Sequence, residues 1–70
     1  MSEVTSLGEA LPLEIERCQE MLAQYVAIGP SGLFGAMMIR PALSKAIKAL
    51  AEGDVVQMIR SYEELKTFED

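Results

Sequence analysis

Seventy residues with a single cysteine, no histidine and a net charge of -5 exclude a good deal before any pattern is read. One thiol makes no internal disulfide and, without imidazole, no four-ligand zinc site, and the acidic balance removes the phosphate neutralisation that dominates affinity for duplex DNA. A chain this short buries only ~60% of its unfolded surface and half of it is hydrophobic, so stability is expected to come from association into a homo-oligomer.

The charge is uneven. Residues 1–20 carry five Glu and one Arg, residues 52–70 carry six acids and two bases, and residues 21–51 carry only Arg40, Lys45 and Lys48. Glu3 and Glu9 stand where a signal peptide would place basic residues before an apolar run, so a cytoplasmic location is expected.

At the start, Ser6-x-x-Glu9 has capping-box spacing, but Gly8 and Pro12 suit a helix interior poorly. Residues 1–10 are therefore expected to be a flexible lead-in or a short turn. The first helix is placed near 12–28, with Pro12 in its first turn. Leu11, Ile15, Cys18, Leu22, Tyr25 and Val26 form its apolar stripe, with Met21 and Ile28 at the border. Gly29-Pro30 ends it, because proline disfavours helix at the residue before it.

The second helix is expected near 32–51. Ala36, Ile39, Leu43, Ala46, Ile47 and Leu50 keep one stripe across Pro41, which points to one helix kinked at Pro41 rather than two. Arg40, Ser44 and Lys48 lie opposite, and Gly53 is the stop. The third helix is expected near 55–67. Asp54-x-x-Gln57 gives it a capping box, Val55, Met58, Ile59, Tyr62 and Leu65 give it a stripe, and the tail from Phe68 is expected to fray. The reading is all-α: one domain over residues 1–70, two long antiparallel helices plus a third, completed by oligomerisation.

The stretch GPSGLFGAMMIRP (Gly29–Pro41) raises the sharpest functional question. A P-loop needs a Lys after its last glycine and a strand before its first; neither is present, and the dinucleotide-binding fingerprint fails likewise. The glycines read as a helix–helix corner, or as an anion site in which N–H groups at the second helix's start meet a phosphate. Nineteen uncharged residues lie between Glu20 and Arg40, enough to span a bilayer, but the Gly29–Gly32 break in their middle leaves unpaired backbone groups there, so no membrane span is expected. Met37 and Met38, with Met21 and Met58, read as adaptable core filling or as a binding surface. Phe34 is either a core plug or an exposed anchor.

Residues 42–62 show a partial likeness to half a tetratricopeptide repeat. Gly53-Asp54, Ile59, Tyr62 and Ala46 fit, whereas Ala42 and Met58 depart from it, and one unit makes no solenoid. A helix-turn-helix is rejected because Lys48, Glu52 and Asp54 fall where apolar residues are required. No metal site, cofactor or catalytic group is expected: there is no histidine base, Glu14 and Glu16 diverge on a helix, and the apolar stripe of an acidic helix does not activate the Cys18 thiol.

LGEALP (Leu7–Pro12), IGPSGLFGAMMI (Ile28–Ile39), GDVVQMI (Gly53–Ile59) and YEELK (Tyr62–Lys66) together resemble a group of short uncharacterised proteins of proteobacteria and their phages or prophages. The resemblance implies a phage or mobile-element accessory protein, a kind that commonly binds and blocks a host protein or sequesters a host signalling molecule. Two functions follow. The first is a non-catalytic helical interaction module that self-associates and grips a host protein, with Leu22, Val26, Phe34, Met37, Met38, Ile39 and Leu43 as the interface and acidic residues of the third helix as further contacts. The second is an oligomeric sponge for a small anionic ligand such as a nucleotide second messenger, with Tyr25, Gly29, Ser31, Gly32, Phe34, Arg40, Lys45 and Lys48 converging across subunits.

Overall fold

The computed structural model describes residues 6–68. They form three helices and, among the described residues, no strand: α1 (Leu7–Ile28), a 3-10 turn (Pro30–Gly32), α2 (Leu33–Glu52) and α3 (Val55–Lys66). Each helix packs on both others. The small all-α bundle read from the apolar periodicity is the observed fold.

The first helix begins five residues earlier than the sequence suggested. Its first turn closes on the Ser6 carbonyl, which accepts from the N–H groups of Glu9 and Ala10 at 3.0 and 2.8 Å, and the Ser6 side chain makes no capping bond. Pro12 is thus inside α1. An interior proline costs ~3 kcal/mol or more, whereas burying a leucine contributes ~1.5–3 kcal/mol. Leu11 is fully buried and Leu7 packs against the core, which offsets the proline. The carbonyl deprived of its donor belongs to Gly8, an exposed residue that water can reach. Of the expected lead-in, Leu7–Ala10 is helical; residues 1–5 lie outside the described residues.

The corner between α1 and α2 turns on glycine. Gly29 takes φ +94° and stops α1. Three residues further on the chain folds back so closely that a Cβ on Gly32 would overlap the Tyr25 carbonyl, and one on Gly35 would stand 3.0 Å from the Tyr25 ring. Gly32-x-x-Gly35 is therefore a notch that receives Tyr25. α2 then runs unbroken through Pro41, whose exposed position puts the unpaired Met37 carbonyl on the solvent side. The α2–α3 connection is a Schellman turn: Gly53, at φ +67°, donates to the Leu50 carbonyl (3.2 Å) and Asp54 N–H to that of Ala49 (3.1 Å). Asp54 then caps α3, its carboxylate accepting from the Gln57 N–H at 3.3 Å.

The core corrects the stripes in detail. α1 contributes Leu11, Ile15, Cys18 and Met21, while Leu22 and Tyr25 are half-buried and Val26 is exposed. α2 contributes Ala36, Ile39, Ala42, Leu43, Ala46 and Ala49, with Ile47 left outside. Four alanines on one face let both neighbours approach closely, and the longer Ile47 is turned away. α3 buries Met58, Ser61 and Leu65 and leaves Val55 and Ile59 exposed. Met21 and Met58 fill the core as expected; Met37 and Met38 do not. Phe68, expected to fray, packs against the core and donates its N–H to Leu65.

Arg17 latches α3 to α1. Its guanidinium donates to the Leu65 carbonyl at 2.9 Å and to Glu14 Oε1 at 3.0 and 3.1 Å. The buried Cys18 Sγ lies 3.6 Å from the same Leu65 carbonyl. A cation at the C-terminal end of a helix meets both its free carbonyls and its dipole. Among the described residues every buried side-chain nitrogen and oxygen is paired.

Three outcomes follow for thermal and urea unfolding. Gly32→Ala should destabilise the fold by about 2 kcal/mol or more, because the Cβ meets backbone, whereas Gly8→Ala, in open space, should be neutral or stabilising by up to ~1 kcal/mol. Arg17→Ala should cost about 1–2 kcal/mol, at the low end for charged hydrogen bonds because its side chain is 31% exposed.

Candidate functional site

The residues considered for an anionic ligand separate into two groups. Tyr25, Gly29, Ser31, Gly32 and Phe34 gather at the α1–α2 corner. Lys45 and Lys48 stand at the far end of α2, and the exposed Arg40 lies between. Gly32 and Lys48 are sixteen residues apart, ~24 Å along a helix.

Three of the corner's backbone donors are occupied. Gly29 N–H donates to Val26 (3.1 Å), Gly32 N–H to Gly29 (2.9 Å) and Leu33 N–H to Pro30, while Pro30 has no N–H to offer. A phosphate cradle needs such donors pointing outward. Here they close the turn, and the ring of Tyr25 is set against Gly35.

At the other end, Lys45 and Lys48 line an open cleft of about 290 Å³ with Ala49, Glu52, Asp54 and Gln57. The carboxylates of Glu52 and Asp54 offset the two ammonium groups, and Asp54 is already engaged as a helix cap. The cleft is of mixed sign. Within one protomer, then, the basic residues do not converge.

The residues considered for an interface divide differently. Ile39 and Leu43 are 1% and 5% exposed and belong to the chain's own core. Leu22 is half-buried against that core. Val26, Phe34, Met37 and Met38 are open to solvent, Phe34 at 75% and Met37 at 66%. Ile28 and Leu33, not singled out for this role from the sequence, are exposed at the same corner. The signal for this face was present: at 100° per residue, Phe34, Met37 and Pro41 fall opposite Ile39 and Ala46. A second exposed apolar group, Val55, Val56 and Ile59, lies in the first half of α3, ahead of the exposed Glu63 and Glu64.

Among the described residues no group of three or more His, Cys, Asp or Glu side chains is placed to hold a metal ion, and no helix is long and apolar enough to cross a membrane. The cysteine is buried. Comparison with protein-family models, with curated proteins and with solved structures finds no match to this chain.

The division of the apolar residues is directly measurable. Phe34→Ser should change the unfolding free energy by no more than ~0.5 kcal/mol at concentrations where the chain is monomeric, as expected of an exposed position. Ile39→Ala, five residues further along the same helix and on its buried side, should cost about 2–5 kcal/mol. Urea titrations of dilute protein compare the two.

Proposed function

We propose that the chain is a non-catalytic helical interaction module that self-associates through the apolar face at the α1–α2 corner, and that the assembly grips a protein partner. The resemblance to phage and prophage proteins makes that partner a host protein and the module a mobile-element accessory that blocks it in the cytoplasm. One observation carries the reading. Phe34, Met37 and Met38, flanked by Ile28 and Leu33, are exposed together on a chain too small to hold many large side chains inside. Singly exposed apolar residues are ordinary, but a contiguous group marks an interaction surface. The α3 face of Val55, Val56 and Ile59, bordered by Glu63 and Glu64, is left for the host protein, an amphipathic helix presented to a groove.

Sequestration of a small anion finds less support, since the Gly29, Gly32 and Leu33 N–H groups are spent in the turn and the two lysines share their cleft with two acids.

Native mass spectrometry with sedimentation velocity tests the proposal. The expected result is an oligomer without adduct, converted to monomer by Phe34→Asp with Met37→Asp while the helical circular dichroism is kept. A wild-type monomer at every concentration would overturn self-association. An adduct of nucleotide mass in fixed ratio to subunits would replace the module by the sponge.

A further inference from the structure

The outward face of α2 changes character along its length. Its first half carries Leu33, Phe34, Met37, Met38 and Pro41, with Arg40 at the edge of the face beside Leu33; its second carries Ser44, Lys45 and Lys48, all exposed. Leu33, Phe34, Met37 and Met38 leave 54%, 75%, 66% and 53% of their surface uncovered, four large side chains on one face that can form the centre of an interface to which each partner contributes ~800 Å². A second copy of the same chain supplies a matching surface with no further component.

Charge selects the register. Two α2 helices paired in parallel would set Lys45 and Lys48 beside the same lysines of the second copy, and so would an antiparallel pair crossing near Ser44. Like charges at that spacing repel. An antiparallel pair crossing at Met37 and Met38 keeps the lysines apart. It lays Phe34 of each copy over Pro41 of the other. It also carries each Lys45–Lys48 segment, ~12 Å beyond the crossing, over the corner of the second copy, which begins ~12 Å to the other side. That corner holds the C-terminal end of α1, whose last turn has no basic residue of its own. A helix C-terminus bears about half a negative charge and free carbonyls, and is complemented by cations.

We propose that two copies pair antiparallel through the outward face of α2, about a two-fold axis at Met37–Met38, with Lys45 and Lys48 of each capping the α1 C-terminus of the other. The pairing rests on the self-association proposed above and specifies its surface and register. A larger assembly would contain this pair as its unit.

Single-cysteine insertions read out the register, with the wild-type chain, whose Cys18 is buried, as control. Met37→Cys treated with a short bis-maleimide should run at twice the chain mass on a denaturing gel. Lys48→Cys should not, because the two copies of that position are ~30 Å apart along the axis. Cross-linking of Lys48→Cys, or failure of Met37→Cys in a wild-type chain that sediments as an oligomer, would overturn the register and leave self-association standing. Failure in a chain that sediments as a monomer would overturn both. Lys45→Glu with Lys48→Glu should weaken the pair about tenfold at low salt, less at high salt; undiminished association would remove the capping contact.

Discussion

Tyr25 set into the notch of Gly32 and Gly35 is the contact on which the arrangement depends. The backbone at Gly32, the last residue of the 3-10 turn, lies against the Tyr25 carbonyl, and that at Gly35, in α2's first turn, lies against the Tyr25 ring, so α2 has little freedom to rotate about its own axis. With that rotation set, Ala36, Ile39, Leu43 and Ala46 face inward and Phe34, Met37 and Pro41 face water. The glycines, which the sequence offered as a helix–helix corner or an anion site, let two helices meet.

α3 is held by a different device. A helix of twelve residues is marginal on its own, and it buries Met58, Ser61 and Leu65 with Tyr62 packed at the margin of the core. Its C-terminal end is secured at one residue, Leu65, whose side chain is fully buried and whose carbonyl accepts from Arg17 and from Phe68. The Schellman turn at Gly53 and the Asp54 cap fix the other end. Local chemistry thus supplies at both ends what the short apolar face does not.

Alanine makes the interior thin. Much of the α2 face that meets α1 and α3 is methyl groups, which permits close helix packing but leaves no room for larger side chains. Phe34, Met37, Met38, Ile47, Val55 and Ile59 remain exposed, and they make up the surfaces proposed above for association.

The sequence by itself determined the helix count, the breaks at Gly29-Pro30 and Gly53-Asp54, the cap at Asp54 and the inward position of Ile15, Cys18, Ile39, Leu43 and Leu65, because periodicity, proline and positive φ are local properties. Near-continuous apolarity from Leu33 to Leu43 left Met37 and Met38 open to a reading as core or as surface, and the larger Ile47, Val55 and Ile59 were placed in the stripes where the small Ala42, Ala49 and Ser61 are buried. The helical start at Leu7 was equally hidden, since Pro12 argues against it locally and only the burial of Leu11 outweighs it. The candidate site was half legible: its residue types were visible, but their division into a spent corner, a distant mixed-charge cleft and an exposed apolar face was not. Tertiary structure alone decided that, because burial depends on how closely two helices approach, and here a single tyrosine over two glycines sets that distance.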